Sequence, residues 1–173
     1  MRSLIAVGAC ALVVSVLAAC GGSGSSRPST KTIRVGSYAF QAPSSWHVRR
    51  LDTEVQARSS PTASELVAVS VFPLLRPYKP ALFGPVSHEL DTAAAQLASR
   101  LGGHVTTRAT TTVAGSRVRQ YVLVAKHGKT LVNEQITFYL RGKTEFQLLC
   151  QWDASAKSEP DYCQTLTKSF RPA

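Results

Sequence analysis

Residues 104–152, HVTTRATTTVAGSRVRQYVLVAKHGKTLVNEQITFYLRGKTEFQLLCQW, decide the fold. Runs rich in Val, Thr, Tyr and Phe are broken at Ala114-Gly115-Ser116, His127-Gly128-Lys129 and Arg141-Gly142-Lys143. Compact glycine turns between extended runs read as hairpins, so the stretch predicts an antiparallel meander. Thr106–Val113 and Val118–Ala125 are its first two strands. In the last two, Val132, Ile136, Phe138 and Leu140 share one face, and Phe146, Leu148, Cys150 and Trp152 share another.

Elements on either side complete the domain. Ser87–Leu101 places Leu90, Ala93, Ala94, Leu97, Ala98 and Leu101 on one face at helical spacing. Ser87 is read as its N-cap, and Gly102-Gly103 as its stop. Upstream, Glu65–Phe72 has little polar alternation and reads as a buried central strand. Ile33–Val35 and Tyr38–Gln41 are short strands around Gly36, and Trp46–Leu51 is extended. Downstream, Glu159–Ser169 is a helix with Ser158 as cap and Tyr162, Cys163, Leu166 and Phe170 as its buried stripe. The 173-residue chain is long enough for one well-buried core and too short for two full domains. One α+β domain over residues 33–173 is expected.

The first residues form a targeting segment. Arg2 precedes an apolar run from Leu4 to Ala19, which ends in small residues, as in a secretory signal. The run is shorter than the roughly 20 residues that span hydrocarbon. Leu17-Ala18-Ala19-Cys20 resembles the bacterial lipobox, which implies cleavage after residue 19 and acylation of Cys20. Residues 20–32 are then the lipidated cysteine and a Gly/Ser-rich flexible tether. The protein is expected on the outer face of the cell membrane, held by its lipid.

Export bears on the two cysteines of the domain, because disulfides persist outside the cytosol. Cys150 and Cys163 both fall on faces read as buried, and a bridge between them would clip the last helix to the sheet. A buried thiol pair and a metal site are the alternatives. The metal site lacks ligands, since no histidine lies near either thiol in sequence, and no metal or other cofactor is expected.

Catalytic patterns are missing. No GxSxG, HExxH or GxxxxGK[ST] occurs, and His47, His88, His104 and His127 are scattered. Glu134 and Glu145 fall on adjacent strands and read either as a carboxylate pair or, more simply, as solvated side chains with Lys143 as a partner. A non-enzymatic role is expected, with an envelope hydrolase acting on wall or lipid material as the alternative.

Charge is more informative. The protein carries a net +10, and residues 100–143 hold eight Lys and Arg against a single acid, Glu134. Inward-facing Val118, Val122 and Val124 would put Arg117, Arg119 and Tyr121 together on the opposite face. Such a face suits anionic lipid, a wall polymer or an envelope protein, as well as being a solvated basic surface. Nucleic acid is not expected for an exported lipoprotein. The Pro-rich segment Pro73–Pro85, with Leu82 and Phe83, reads as a long loop: a lid over the core, or the apolar lip of a binding site.

Several of these pieces together resemble the exported bacterial, actinobacterial-type lipoproteins of the PsbP-like group. They are Tyr38-Ala39-Phe40-Gln41-Ala42-Pro43 with Trp46, the Ala/Leu helix, Val113-Ala114-Gly115, Cys150 with Cys163, and Lys168-Ser169-Phe170. The resemblance implies an antiparallel sheet of about six strands sandwiched by helices. It also implies a non-catalytic accessory or binding protein.

Overall fold

The computed structural model describes residues 29–173. The expected signal segment and Cys20 lie outside the described residues. Among these, the chain runs β1 (Thr30–Val35), β2 (Tyr38–Pro43), β3 (His47–Arg50), β4 (Glu54–Arg58), β5 (Leu66–Tyr78) and α1 (Phe83–Arg100). Then follow β6 (His104–Val113), β7 (Ser116–His127), β8 (Thr130–Asp153), α2 (Asp161–Ser169) and β9 (Arg171–Pro172).

Strand β8 explains the meander. Its 24 residues would extend about 80 Å if straight. Instead it doubles back at Gly142, whose φ is +55°. Ala154 N donates to Leu131 O across the two arms at 3.3 Å, and the Tyr139 and Phe146 rings meet edge to face with centroids 6.0 Å apart. The first arm pairs with β7 and the second with β5. Arg141-Gly142-Lys143 is therefore the expected turn, and the sheet order is β3-β4-β5-β8-β7-β6, antiparallel throughout.

The two faces of this sheet have different covers. On one lie Ala94 and Ala98 of α1, packed on Tyr121, Leu123, Ile136 and Phe138. Small alanines let the helix approach the strands closely. On the other face α2 is joined by a second, three-stranded sheet, β1-β2-β9. Phe40, Phe170, Phe146, Leu148, Cys150 and Trp152 form the core there. Each such large apolar side chain contributes about 1.5–3 kcal/mol when fully buried. A helix lies on each face, but the expected sandwich by helices alone is corrected: on one face the small sheet β1-β2-β9 shares the cover with α2, and the fold is richer in sheet. Tyr38 bridges the two sheets by donating its hydroxyl to Val69 O at 3.1 Å, and burial pushes its pKa up to about 12.

Three local expectations change. The segment Pro73–Pro85 is not a loop: β5 continues to Tyr78, with a register shift between Pro73 and Tyr78, and a 3-10 turn at Pro80–Leu82 leads into α1. Proline is tolerated where the ladder is irregular and in a first helical turn, where its missing N–H would have no partner. Ser87 consequently sits inside the helix, bonding back to Phe83 O at 2.6 Å, and Leu82 stands at the cap. Helix α2 likewise starts at Asp161 with Pro160, not Ser158, at its cap.

Candidate functional site

The sequence candidates divide when placed. Arg117, Arg119 and Tyr121 do share a face of β7, but α1 lies on it. Tyr121 is fully buried, and its hydroxyl donates to Asp91 Oδ1 at 2.6 Å. Arg119 makes a two-point contact with the same carboxylate, Nε to Oδ1 at 2.9 Å and Nη2 to Oδ2 at 3.0 Å. The basic face that alternation implied is closed over these two residues. Strand periodicity says which residues share a face; it does not say what covers that face.

Arg117 lies beyond the helix start and stays exposed. Its guanidinium stands 4.3 Å from the centroid of the Phe83 ring, a cation–π contact. The pair lines a cleft of about 400 Å³ together with Tyr78, Pro80, Leu140 and Arg141. Leu82 is exposed beside it, outside the lining. Of the apolar lip, Phe83 therefore reaches the cleft and Leu82 does not.

A larger cleft, about 660 Å³, adjoins this one across Gly115, Tyr139 and Arg141. The turns at Ala114-Gly115 and Gly142, the end of α2 and strand β9 converge there. Ala114 and Gly115 both have positive φ, +46° and +78°, the backbone of a two-residue hairpin between paired Val113 and Ser116. Alanine adopts that conformation only at a cost of about 1–2 kcal/mol.

The cleft is cationic. Arg141, Lys168 and Arg171 line it, with Arg117 next door, and no Asp or Glu side chain lines either space. Two of these cations are positioned by backbone. Arg141 Nη1 donates to Ala173 O at 2.7 Å, and Arg171 Nη1 donates to Lys168 O at 2.9 Å and Phe170 O at 2.6 Å. The second arrangement opposes the negative end of the α2 dipole, which would otherwise repel an anion here. Their remaining N–H groups can serve a phosphate or carboxylate in the bidentate manner of guanidinium.

Sequence reasoning missed this site. Arg141, Lys168 and Arg171 come from a turn, a helix end and a terminal strand, so no local spacing joins them. Cys150 and Cys163, by contrast, are bridged, with Cα atoms 5.4 Å apart. The bridge clips α2 to β8 and so steadies the helix that carries Lys168. The two carboxylates considered as a catalytic pair are engaged separately. Glu134 is buried and accepts from Gln151 Nε2 at 2.5 Å, with His127 Nε2 2.7 Å from the same oxygen, while Glu145 accepts from Gln147 at 2.6 Å. Among the described residues no helix is long and apolar enough to cross a membrane.

No protein-family model and no curated protein matches the chain. Solved structures do. One from Bacteroides thetaiotaomicron superposes with a TM-score of 0.53 at 7% identity, over 79% of this chain, which spans only 45% of that protein's length. The solution structure of cyanobacterial PsbP, CyanoP, from Synechocystis sp. PCC 6803 superposes with a TM-score of 0.61 at 12% identity, over 91% of this chain and 99% of its own. Identity this low speaks to architecture alone, and the architecture of this chain is a PsbP-like fold.

Proposed function

We propose that the protein is an exported, lipid-anchored accessory protein of the cell envelope, without catalytic activity, that binds an anionic or amphipathic envelope component. The observation that carries the reading is the cleft lined by Arg141, Lys168 and Arg171, with Arg117 beside it and no Asp or Glu side chain in the lining. The lipobox-like Leu17-Ala18-Ala19-Cys20 would hold that cleft near a membrane surface. Attraction of this kind is worth about 1 kcal/mol per basic residue near an anionic surface. Phe83 and Tyr78 give the adjoining cleft an apolar wall, which suits an amphipathic ligand.

The test is cosedimentation of residues 29–173 with vesicles. Binding to phosphatidylglycerol vesicles at low salt, and none to phosphatidylcholine, is expected. It should weaken steeply as salt rises past 0.1 M, where charges are screened within about 10 Å. Arg141→Glu with Lys168→Glu should remove most of it. Undetectable binding at low salt, or binding indifferent to salt and to both substitutions, would refute the proposal.

A further inference from the structure

Gln135, on the first arm of β8, is 4% exposed, and its buried side-chain oxygen has no hydrogen-bond partner. Buried polar atoms are almost always paired, so an orphaned amide oxygen is a place where a partner is expected to arrive. Gln135 is one of the residues that line a recess of about 260 Å³ between α2 and strands β6 and β7. Gln120, Gln164 and Thr111 line it too. Thr112, Val113, Thr167 and Lys168 belong both to this recess and to the cationic cleft, so the two adjoin across these residues and are taken together as one trough.

The trough changes character along its length. Its mouth holds Arg141, Lys168 and Arg171. Its inner end holds neutral amides and hydroxyls and one carboxyl, Glu159, whose pKa is raised by burial against the opposing pull of Lys168. Gln120 Nε2 is already committed to Thr137 Oγ1 at 3.0 Å, and Gln164 Oε1 accepts from Lys168 Nζ at 3.0 Å. The Gln135 oxygen and the Glu159 carboxyl both accept hydrogen bonds, so the inner end calls for donors. An ammonium donor would meet Lys168, which lines this end as well. Hydroxyl groups satisfy the same acceptors without that repulsion.

We propose that the trough binds a phosphorylated polyol, with the phosphate among Arg141, Lys168 and Arg171 and a hydroxyl of the sugar or cyclitol donating to Gln135 Oε1. The inference rests on the cleft being an anion site. It adds what the anion is attached to. Such a group occurs free or as a lipid head group, and the apolar cleft at Tyr78 and Phe83 opens off the same mouth.

The experiment uses the full chain in non-ionic detergent at low salt, titrated calorimetrically with inorganic phosphate, myo-inositol 1-phosphate and phosphoethanolamine. The expected result is inositol phosphate binding about tenfold more tightly than phosphate, the worth of one or two well-made hydrogen bonds. Gln135→Leu should erase that ratio while leaving phosphate affinity unchanged, and Arg141→Gln should weaken both ligands. Glu159→Ala, a half-buried loop position outside the core, removes the other acceptor and should reduce the ratio if Gln135→Leu does not fold. Equal binding of phosphate and inositol phosphate overturns the polyol inference and leaves the anion site standing. Tighter binding of phosphoethanolamine overturns it in favour of an ammonium head. If no probe binds, the anion-site reading falls with it. Vesicles of phosphatidylinositol and phosphatidylserine, matched in charge, then separate the sources. Preference for phosphatidylinositol vesicles assigns the lipid head group, and indifference between them alongside tight inositol phosphate binding assigns the free phosphate.

Discussion

Arg119 and Asp91 lock α1 onto β7 through two parallel contacts of 2.9 and 3.0 Å. The same carboxylate accepts the hydroxyl of Tyr121, which has no access to water. Asp91 is therefore a hub: removing it leaves both a guanidinium and a buried hydroxyl without their acceptor. A partly exposed ion pair alone contributes little, up to about 1 kcal/mol. The stranded Tyr121 hydroxyl adds more, so Asp91→Ala should cost about 1–3 kcal/mol in urea unfolding. Tyr121→Phe in the same background should recover part of that loss, because it removes the stranded group.

The hub also sets a pH dependence. The hydrogen bond from Arg119, opposed by burial and assisted by that from Tyr121, holds the Asp91 carboxyl below the usual aspartate range. A depressed folded-state pKa stabilises the protein above the unfolded value near 4 and loses that contribution as pH falls through the folded one. The stability difference between the natural chain and Asp91→Asn should thus be constant from pH 7 to 5 and shrink below pH 4. A difference that does not change on acidification would contradict the hub.

How much of this was legible in the sequence depends on range. Alternation put Ile136 and Phe138 on one face and Phe146, Leu148, Cys150 and Trp152 on another, because strand faces are a local property; that α1 covers the first pair emerges only in the fold. Helical spacing gave the buried Ala94 and Ala98 for the same reason. The start of α1 was hidden by Pro80 and Pro85, which a linear reading takes as loop although the turn before a helix and its first turn accommodate both. The cationic cleft was not legible at all. Its members are neighbours only after β8 folds back at Gly142 and the chain returns through α2 to β9.

Gly103 tests the close seating of α1. A Cβ built there would lie 1.7 Å from the Val124 carbonyl oxygen, inside any allowed contact. Adjacent Gly102, with φ +66° and only the Lys126 side chain at 3.8 Å, has room for a methyl group but not the backbone conformation for one. Gly102→Ala should cost about 1–2 kcal/mol. Gly103→Ala must also move the helix end, where Lys126 N bonds to Leu101 O at 2.9 Å, and should cost more. Thermal melts of the two variants that rank the other way would show that the helix end yields easily.

The Cys150–Cys163 bridge joins the second arm of β8 to the first turn of α2. Alkylation of the denatured, unreduced protein should add no label at either position. Cys163→Ser should cost about 2–5 kcal/mol. Because α2 carries Lys168 and Gln164, the loss should also loosen the trough, so phosphate binding weakens even at temperatures where the variant remains folded. A variant that binds phosphate as well as the natural chain would separate the bridge from the site.

Cys20 carries the remaining expectation, and its effect can be separated from that of the cleft. One acyl chain gives only marginal, reversible attachment, and two or more give a stable anchor, at about 0.8 kcal/mol per buried CH₂. Cells fed a labelled fatty acid should label the natural chain and not Cys20→Ala. The substitution should release the protein from membranes at moderate salt. At low salt part of it should remain bound through Arg141, Lys168 and Arg171, and reversing Arg141 and Lys168 to Glu in the Cys20→Ala chain should remove that residue of binding. An anchored chain with the two reversals should stay on the membrane at every salt concentration, since acyl burial is not screened by ions. Release of the anchored chain by salt alone would mean that charge, and not lipid, holds it there.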